Sequence, residues 1–240
     1  MMGLLALCEY LAGQSHPAQA STEPLYCPPG VALRLLGAKP LAPAEAPGLY
    51  ALLLKICARA GMQRTPEVFL LPAPDMNAFA LGAPDNACIT VTRGLLQGLS
   101  RAEVAGILAH EVAHIVNRDS GTMNWAAAIQ RKIASLALNG VAMVASVPGR
   151  FGVDARSMVL ASTPAIARLL FLAFSRVREL DADALALELI DDPGALAAAL
   201  CKLERFHTGL SPLGAYVRRD SLSRSVQSHP DTLERIARLA

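Results

Sequence analysis

Apolar positions recur along this chain with two periods, and the longer one dominates. Between 101 and 117, Val104, Ile107, Leu108, Val112 and Ile115 return at steps of three and four, the spacing of a helix with one buried face. Ser100, Arg101, Ala102 and Glu103 spell a capping box at its start: the Ser100 hydroxyl covers the amide of Glu103, and the Glu103 side chain reaches back. Leu49, Leu52, Leu53 and Ile56 mark a helix over 44–60 that stops at Gly61. Further helices are expected over 175–189, from Asp192 through about Phe206, and over 232–239. The shorter period appears three times. An apolar run fills 67–71 between Pro66 and Pro72, polar and apolar residues alternate over 87–92, and 77–81 forms a third strand before the turn Gly82, Ala83, Pro84, Asp85, Asn86. The expected class is α+β and mainly helical, with a small antiparallel sheet whose edge strand flanks the 101–117 helix.

Two segments are too apolar to be ordinary surface. The stretch 133–149 carries no charge and sits at the lower edge of a membrane-spanning length, but Asn139, Gly140, Pro148 and Gly149 dilute it. The stretch 157–175 is apolar except for Arg168, which is costly in lipid unless it reaches an interface or a partner. Neither spans convincingly alone; membrane contact and a buried helical pair both fit, and membrane contact is favoured. At the start of the chain, Gly3 to Cys8 is short, has no positive residue ahead of it and is followed by Glu9, so a cleaved secretory signal is not expected despite Ala18, Gln19 and Ala20.

Composition narrows the picture further. With 240 residues, 53% of them hydrophobic, and no repeat or charged linker, the chain reads as one domain, 1–240, in which 120–174 is an apolar helical insertion. A net charge of +2 with mixed signs and a single Trp argues against a nucleic-acid partner. Five cysteines, at 8, 27, 57, 88 and 201, form no CxxC pair and leave an odd count, which suits small thiols in a reducing compartment rather than disulfides or a second metal site.

The chemistry concentrates in HEVAH, residues 110 to 114. His110 and His114 project from one helix face a turn apart, so their nitrogens can share one metal ion. Glu111 lies between them, where hydrolysis by a zinc-activated water needs a carboxylate to take the proton. Chance would produce an HExxH in under about one such chain in a hundred, so the accidental reading is weak. Catalytic zinc sites normally take three protein ligands, and the third is sought downstream. In SRVRELDADALALEL, Glu179 and Asp183 stand four apart on one helix face. Glu179 can bind zinc while Asp183 accepts a hydrogen bond from the outer nitrogen of a ligand histidine and fixes its tautomer. A solvated acidic face is the plain alternative; beside HEVAH, in an otherwise largely apolar helix, the ligand reading prevails. Asp181 and Glu188 fall off that face and read as surface, and His16 and His207 have no partner at metal spacing.

These motifs resemble the HtpX and CAAX prenyl protease family of gluzincin metallopeptidases. HEVAHIVNRD, SRVRELDAD, NAFALG at 77–82 and HPDTLERIARL at 229–239 carry the likeness, which also covers GAKPL at 37–41 and VTRGLL at 91–96, all in the right order; only 1–36 lies outside it. The resemblance implies a zincin-like metalloprotease domain holding one Zn2+ through His110, His114 and Glu179, with Glu111 as general base. It implies that protein or peptide substrates bind as an extended strand along Asn77, Ala78 and Phe79. His229 takes on two readings, a donor to the oxyanion or an autoinhibitory group at the metal against a plain helix cap, and Arg235 likewise anchors loop or substrate backbone or is a solvated helix residue. Phe79 alone reads more simply as core. Family members usually begin with two membrane-spanning helices, which the short 1–36 segment is not expected to supply; Leu81 also replaces the polar residue more usual there, so subsite preference does not carry over.

The expected function is zinc-dependent endoproteolysis, in protein quality control or membrane-protein turnover, at an inner membrane with a cytoplasm-facing site in preference to a cytoplasmic location. Two alternatives stand beside it: a membrane-associated scaffold that binds polypeptide on the same strand with little or no turnover, and an HExxH hydrolase of non-peptide substrates.

Overall fold

The computed structural model describes residues 28–145, 155–209 and 232–239, so His229 and His16 lie outside the described residues. In chain order the elements are α1 Pro29–Leu35, β1 Lys39–Pro40, α2 Pro47–Arg59, β2 Glu67–Leu71, β3 Ala78–Leu81, β4 Cys88–Thr92, α3 Arg93–Gly98, α4 Arg101–Val116, α5 Asp119–Ala145, α6 Ala155–Leu189, α7 Pro193–Gly209 and α8 Thr232–Leu239. Mainly helical architecture with a small sheet is therefore as expected. Gly61, with φ 67°, ends α2 in the left-handed region that glycine adopts without steric cost.

The sheet differs from expectation in direction. Its order is β1-β2-β4-β3, with β2 and β4 parallel and the other pairs antiparallel, so it is mixed rather than antiparallel. A parallel pair needs a long connection; the stretch 72–87 is long enough to cross over and lays down β3 on the far side of β4. Strand β4 is buried at all five positions, which suits a central strand covered on both faces. On one face Val68, Ala78, Ala80, Ile89 and Val91 pack with α2, α4 and α7. On the other, Phe69 and Cys88 pack with Leu33 of α1, and Phe79 and Leu81 close the cluster.

Helix α4 runs through the middle of the larger core, its Leu108, Ala109, Val112 and Ala113 fully enclosed. It approaches α7 closely at Gly106, where a Cβ would stand 2.9 Å from both the Cα and the N of Leu196. Only glycine allows the two backbones to approach so closely.

Helices α5 and α6 run antiparallel, Gly140 lying against Leu160 at one level and Asp119 against Arg178 at another. The apolar stretch 157–175 is not a separate element from the expected 175–189 helix; both belong to the 35-residue α6. Met158–Leu189 is long and apolar enough to cross a membrane, and only 17% of its apolar 18-residue stretch is buried in the protein. Leu136, Leu138 and Met143 on α5 and Met158, Val159 and Leu170 on α6 are all exposed.

Gly106→Ala is expected to destabilise the fold. The added methyl meets backbone that cannot rotate away, so an overpacking cost of about 1–3 kcal/mol outweighs the gain of about 1 kcal/mol in helix propensity; denaturant unfolding of the variant measures the difference.

Candidate metal centre

Helix α4 is anchored at its first turn and delivers its ligands at its last. The Ser100 amide donates to Glu103 Oε2 at 2.7 Å and the Glu103 amide to Ser100 Oγ at 3.4 Å, so the capping box forms as expected. Lys202 of α7 donates to the same Glu103 oxygen at 2.7 Å. Burial pushes the Glu103 carboxyl up, but the hydrogen bonds from Lys202 and Ser100 outweigh it and hold the group below its ordinary value. The cap thus also pins α4 to α7.

One turn apart near the other end, His110 and His114 turn their Nε2 atoms toward each other, 3.1 Å apart, with the rings nearly perpendicular. Glu179 of α6 completes the group: its Oε2 is 3.6 Å from His110 Nε2 and its Oε1 is 3.7 Å from His114 Nε2. Ligands bonded at about 2.0–2.2 Å on the corners of a tetrahedron stand roughly 3.3–3.6 Å apart, so these three donors fit one small divalent cation.

The outer nitrogens decide the tautomers. His110 Nδ1 lies 2.9 Å from Asp183 Oδ1, and His114 Nδ1 lies 2.7 Å from Asp119 Oδ2. An ionised carboxylate can only accept, so both Nδ1 atoms donate and both Nε2 lone pairs face Glu179. Lone pairs gathered in this way require positive charge among them. The protonation of His110 reflects the same demand: burial lowers its pKa, yet hydrogen bonding to Asp183 and then to Glu179 carries it up to about 9.

Asp183 is itself gripped. Arg235 of α8, only 4% exposed, donates to it through Nε at 2.7 Å and Nη2 at 2.6 Å. Its Nη1 also comes within 3.9 Å of Glu179 Oε2. Burial opposes the guanidinium charge, but the carboxylates of Asp183, Glu179 and Glu111 hold its pKa above the ordinary value. Glu111 is buried next to His110, close enough for its charge to act on Arg235.

The structure brings together His110, Glu111, His114, Glu179, Asp183 and Arg235. Arg235 is buried rather than solvated, and it braces Asp183. Asn77 precedes β3, where its amide donates to Thr92 Oγ1 at 2.9 Å and its carbonyl accepts from the Thr92 amide at 3.0 Å. Ala78 is buried and Phe79 packs with Leu33 and Phe69, the simpler of the two readings of that residue. Asp181 and Glu188 are exposed and His207 bonds its own helix at Leu203, so none of these joins the group. Cys57 and Cys88 are buried, and burial pushes each thiol up to about 11, which makes both poor nucleophiles.

Asp119 and Arg178 are the residues that sequence reasoning misses. Asp119 reaches His114 because Arg118 adopts φ 56°, a left-handed turn by a non-glycine residue that folds the chain back between α4 and α5. The available signal is the aspartate in HEVAHIVNRD, five residues after His114 and thus off the helical period.

Two histidines on one helix and a carboxylate from a second form a donor set that could hold a metal ion, with a glutamate beside the first histidine. Residues 43–240 match the model of Peptidase family M48, and the chain belongs to that family. It is 36% identical over 230 residues to a Protease HtpX homolog of Kineococcus radiotolerans, covering 88% of this chain and 78% of the relative. A Protease HtpX homolog of Acaryochloris marina is 38% identical over 226 residues, covering 87% of this chain and 76% of the relative. The fold is also similar to the crystal structure of S. mikatae Ste24p, with a TM-score of 0.59 at 19% identity, and the match covers 100% of this chain and 55% of that one. This chain therefore spans a little over half of Ste24p.

Two outcomes follow from the donor geometry. Glu179→Ala should lose bound metal while the wild type retains it, measured by elemental analysis after gel filtration. Because the hydrogen bonds to Asp183 and Glu179 push His110 up to about 9 against its burial, an incoming cation competes with a proton there; metal uptake should release protons into weakly buffered solution at neutral pH, and apparent affinity should weaken as pH falls.

Proposed function

We propose that this chain is a zinc metalloendopeptidase, holding one zinc ion per chain through His110, His114 and Glu179 and hydrolysing peptide bonds. The convergence of three donors at distances suited to one tetrahedral cation carries this reading. Bound zinc supplies Lewis acidity, polarising the scissile carbonyl and easing deprotonation of water. Glu111 takes the proton from the attacking water and passes it to the leaving amine. Asp183 and Asp119 keep the imidazoles in the tautomer that leaves Nε2 free to ligate. His229 is proposed as a donor to the developing oxyanion.

Substrate binds as an extended strand. β3 stands at the edge of the sheet and packs against α4, so a polypeptide lying along Asn77, Ala78 and Phe79 can pair with its main chain and pass beside the ligands. Main-chain pairing is indifferent to side chains, which suits a protease that removes many damaged or surplus proteins.

The α5–α6 pair supports a membrane location. Its exposed Leu136, Leu138, Met143, Met158 and Val159 form the apolar surface that lipid would cover. We place the chain at an inner membrane with the site facing the cytoplasm, acting in quality control or membrane-protein turnover.

Glu111→Gln is the decisive variant. It should keep its zinc and lose about 10²- to 10⁴-fold in casein cleavage; wild-type cleavage by zinc-loaded Glu111→Gln overturns the mechanism, and peptide binding by the wild type without new N-termini overturns the protease reading.

A further inference from the structure

Each ligand histidine leans on a carboxylate, and each carboxylate is held by an arginine. For His110 the pair is Asp183 and Arg235. For His114 it is Asp119 and Arg178, and this second pair joins different parts of the fold. Asp119 is the first residue of α5, whereas Arg178 precedes the ligand Glu179 on α6.

Arg178 fills the directions that its guanidinium offers. Nε donates to Asp119 Oδ1, Nη1 donates to Asp181 Oδ2 at 3.1 Å, and Nη2 reaches the carbonyl of Asn117 at 3.5 Å. One side chain thus ties together the end of α4, the start of α5 and the ligand-bearing turn of α6. A lysine ammonium is a point charge on a flexible stem and cannot match this planar fork. Asp119 is 5% exposed and divides its oxygens between Arg178 and His114. Without Arg178, its buried carboxylate would lose its charged partner and be free to turn from Nδ1 of His114. The left-handed turn at Arg118 persists because the contacts around it hold it, and the bond to Asp119 is among them.

The geometry points to Arg178 as a positioning residue for the metal site. Through Asp119 it fixes the tautomer and ring orientation of His114, and it locks the base of the α5–α6 pair to the ligand set. An ion pair that merely staples two helices has no reason to spend its second carboxylate oxygen on a ligand imidazole. The inference rests on His110, His114 and Glu179 being the ligands.

The test uses the full-length chain in detergent and reads two properties other than proteolysis: zinc affinity by competition with a chromophoric chelator, and the visible spectrum of the cobalt-substituted protein, which reports ligand geometry. Arg178→Met should weaken zinc binding about 10- to 100-fold and alter the cobalt spectrum. Arg178→Lys should fall between it and the wild type. Asp119→Asn should match Arg178→Met, and the double variant should be no weaker than the worse single one. Zinc affinity within twofold of wild type and an unchanged cobalt spectrum in Arg178→Met overturn the inference. If Arg178→Met does not fold, Arg178→Lys decides by the same two readouts. Wild-type affinity in Glu179→Ala would instead overturn the ligand assignment itself, so the two failures are distinguishable.

Discussion

Three donor atoms from two helices converge on one point, and much of this fold serves to keep them aimed. His110 and His114 cannot relax apart, because each Nδ1 is committed to a carboxylate and α4 is buried throughout 106–113. Glu179 cannot withdraw easily either, since α6 is packed against α4 and the flanking Arg178 and Asp183 are both tied to neighbouring elements. The result is preorganisation: a cation entering such a group would find its donors already oriented and desolvated. Geometry set in advance by packing and outer hydrogen bonds is how proteins hold metals in a working coordination.

The braces come from distant parts of the chain, so the centre depends on the tertiary structure being complete. Arg235 arrives on α8, near the end of the chain, and α8 is seated by packing on α7 and by Thr232 donating to Glu204. Arg178 and Asp119 arrive from the two long apolar helices. Thus the core under the sheet, the C-terminal helix and the α5–α6 pair all bear on two imidazoles, and none of them can shift alone without disturbing the ligand set.

What is legible in the sequence is what is local. The α4 helix declares its period, its Ser100–Glu103 cap and two ligands within a single stretch, and Glu179 with Asp183 repeats the helical spacing further on. The strand positions are readable for the same reason. The direction of β4 relative to β2 is not, because it depends on how 72–87 travels through space rather than on the strands themselves. Asp119 escapes because only the dihedral angle at Arg118 carries it to His114. Arg235 has the composition of a surface residue, and only its burial against Asp183 shows otherwise. The apolar character of α5 and α6 is plain from composition, whereas the continuity of 157–175 with the stretch that carries Glu179, both within α6, becomes visible only in the fold.

The edge strand β3 carries one more consequence. It is only four residues long, Ala78–Leu81, and is ended by Gly82 at φ 94° and by Pro84 beyond it. Exposed sheet edges invite copies of the same protein to join into extended stacks, and brevity is a recognised defence against this. So short a ledge gives any visiting chain few amide contacts. A polypeptide pairing there would depart quickly, and two molecules gain little by zipping together, so the edge is not sticky.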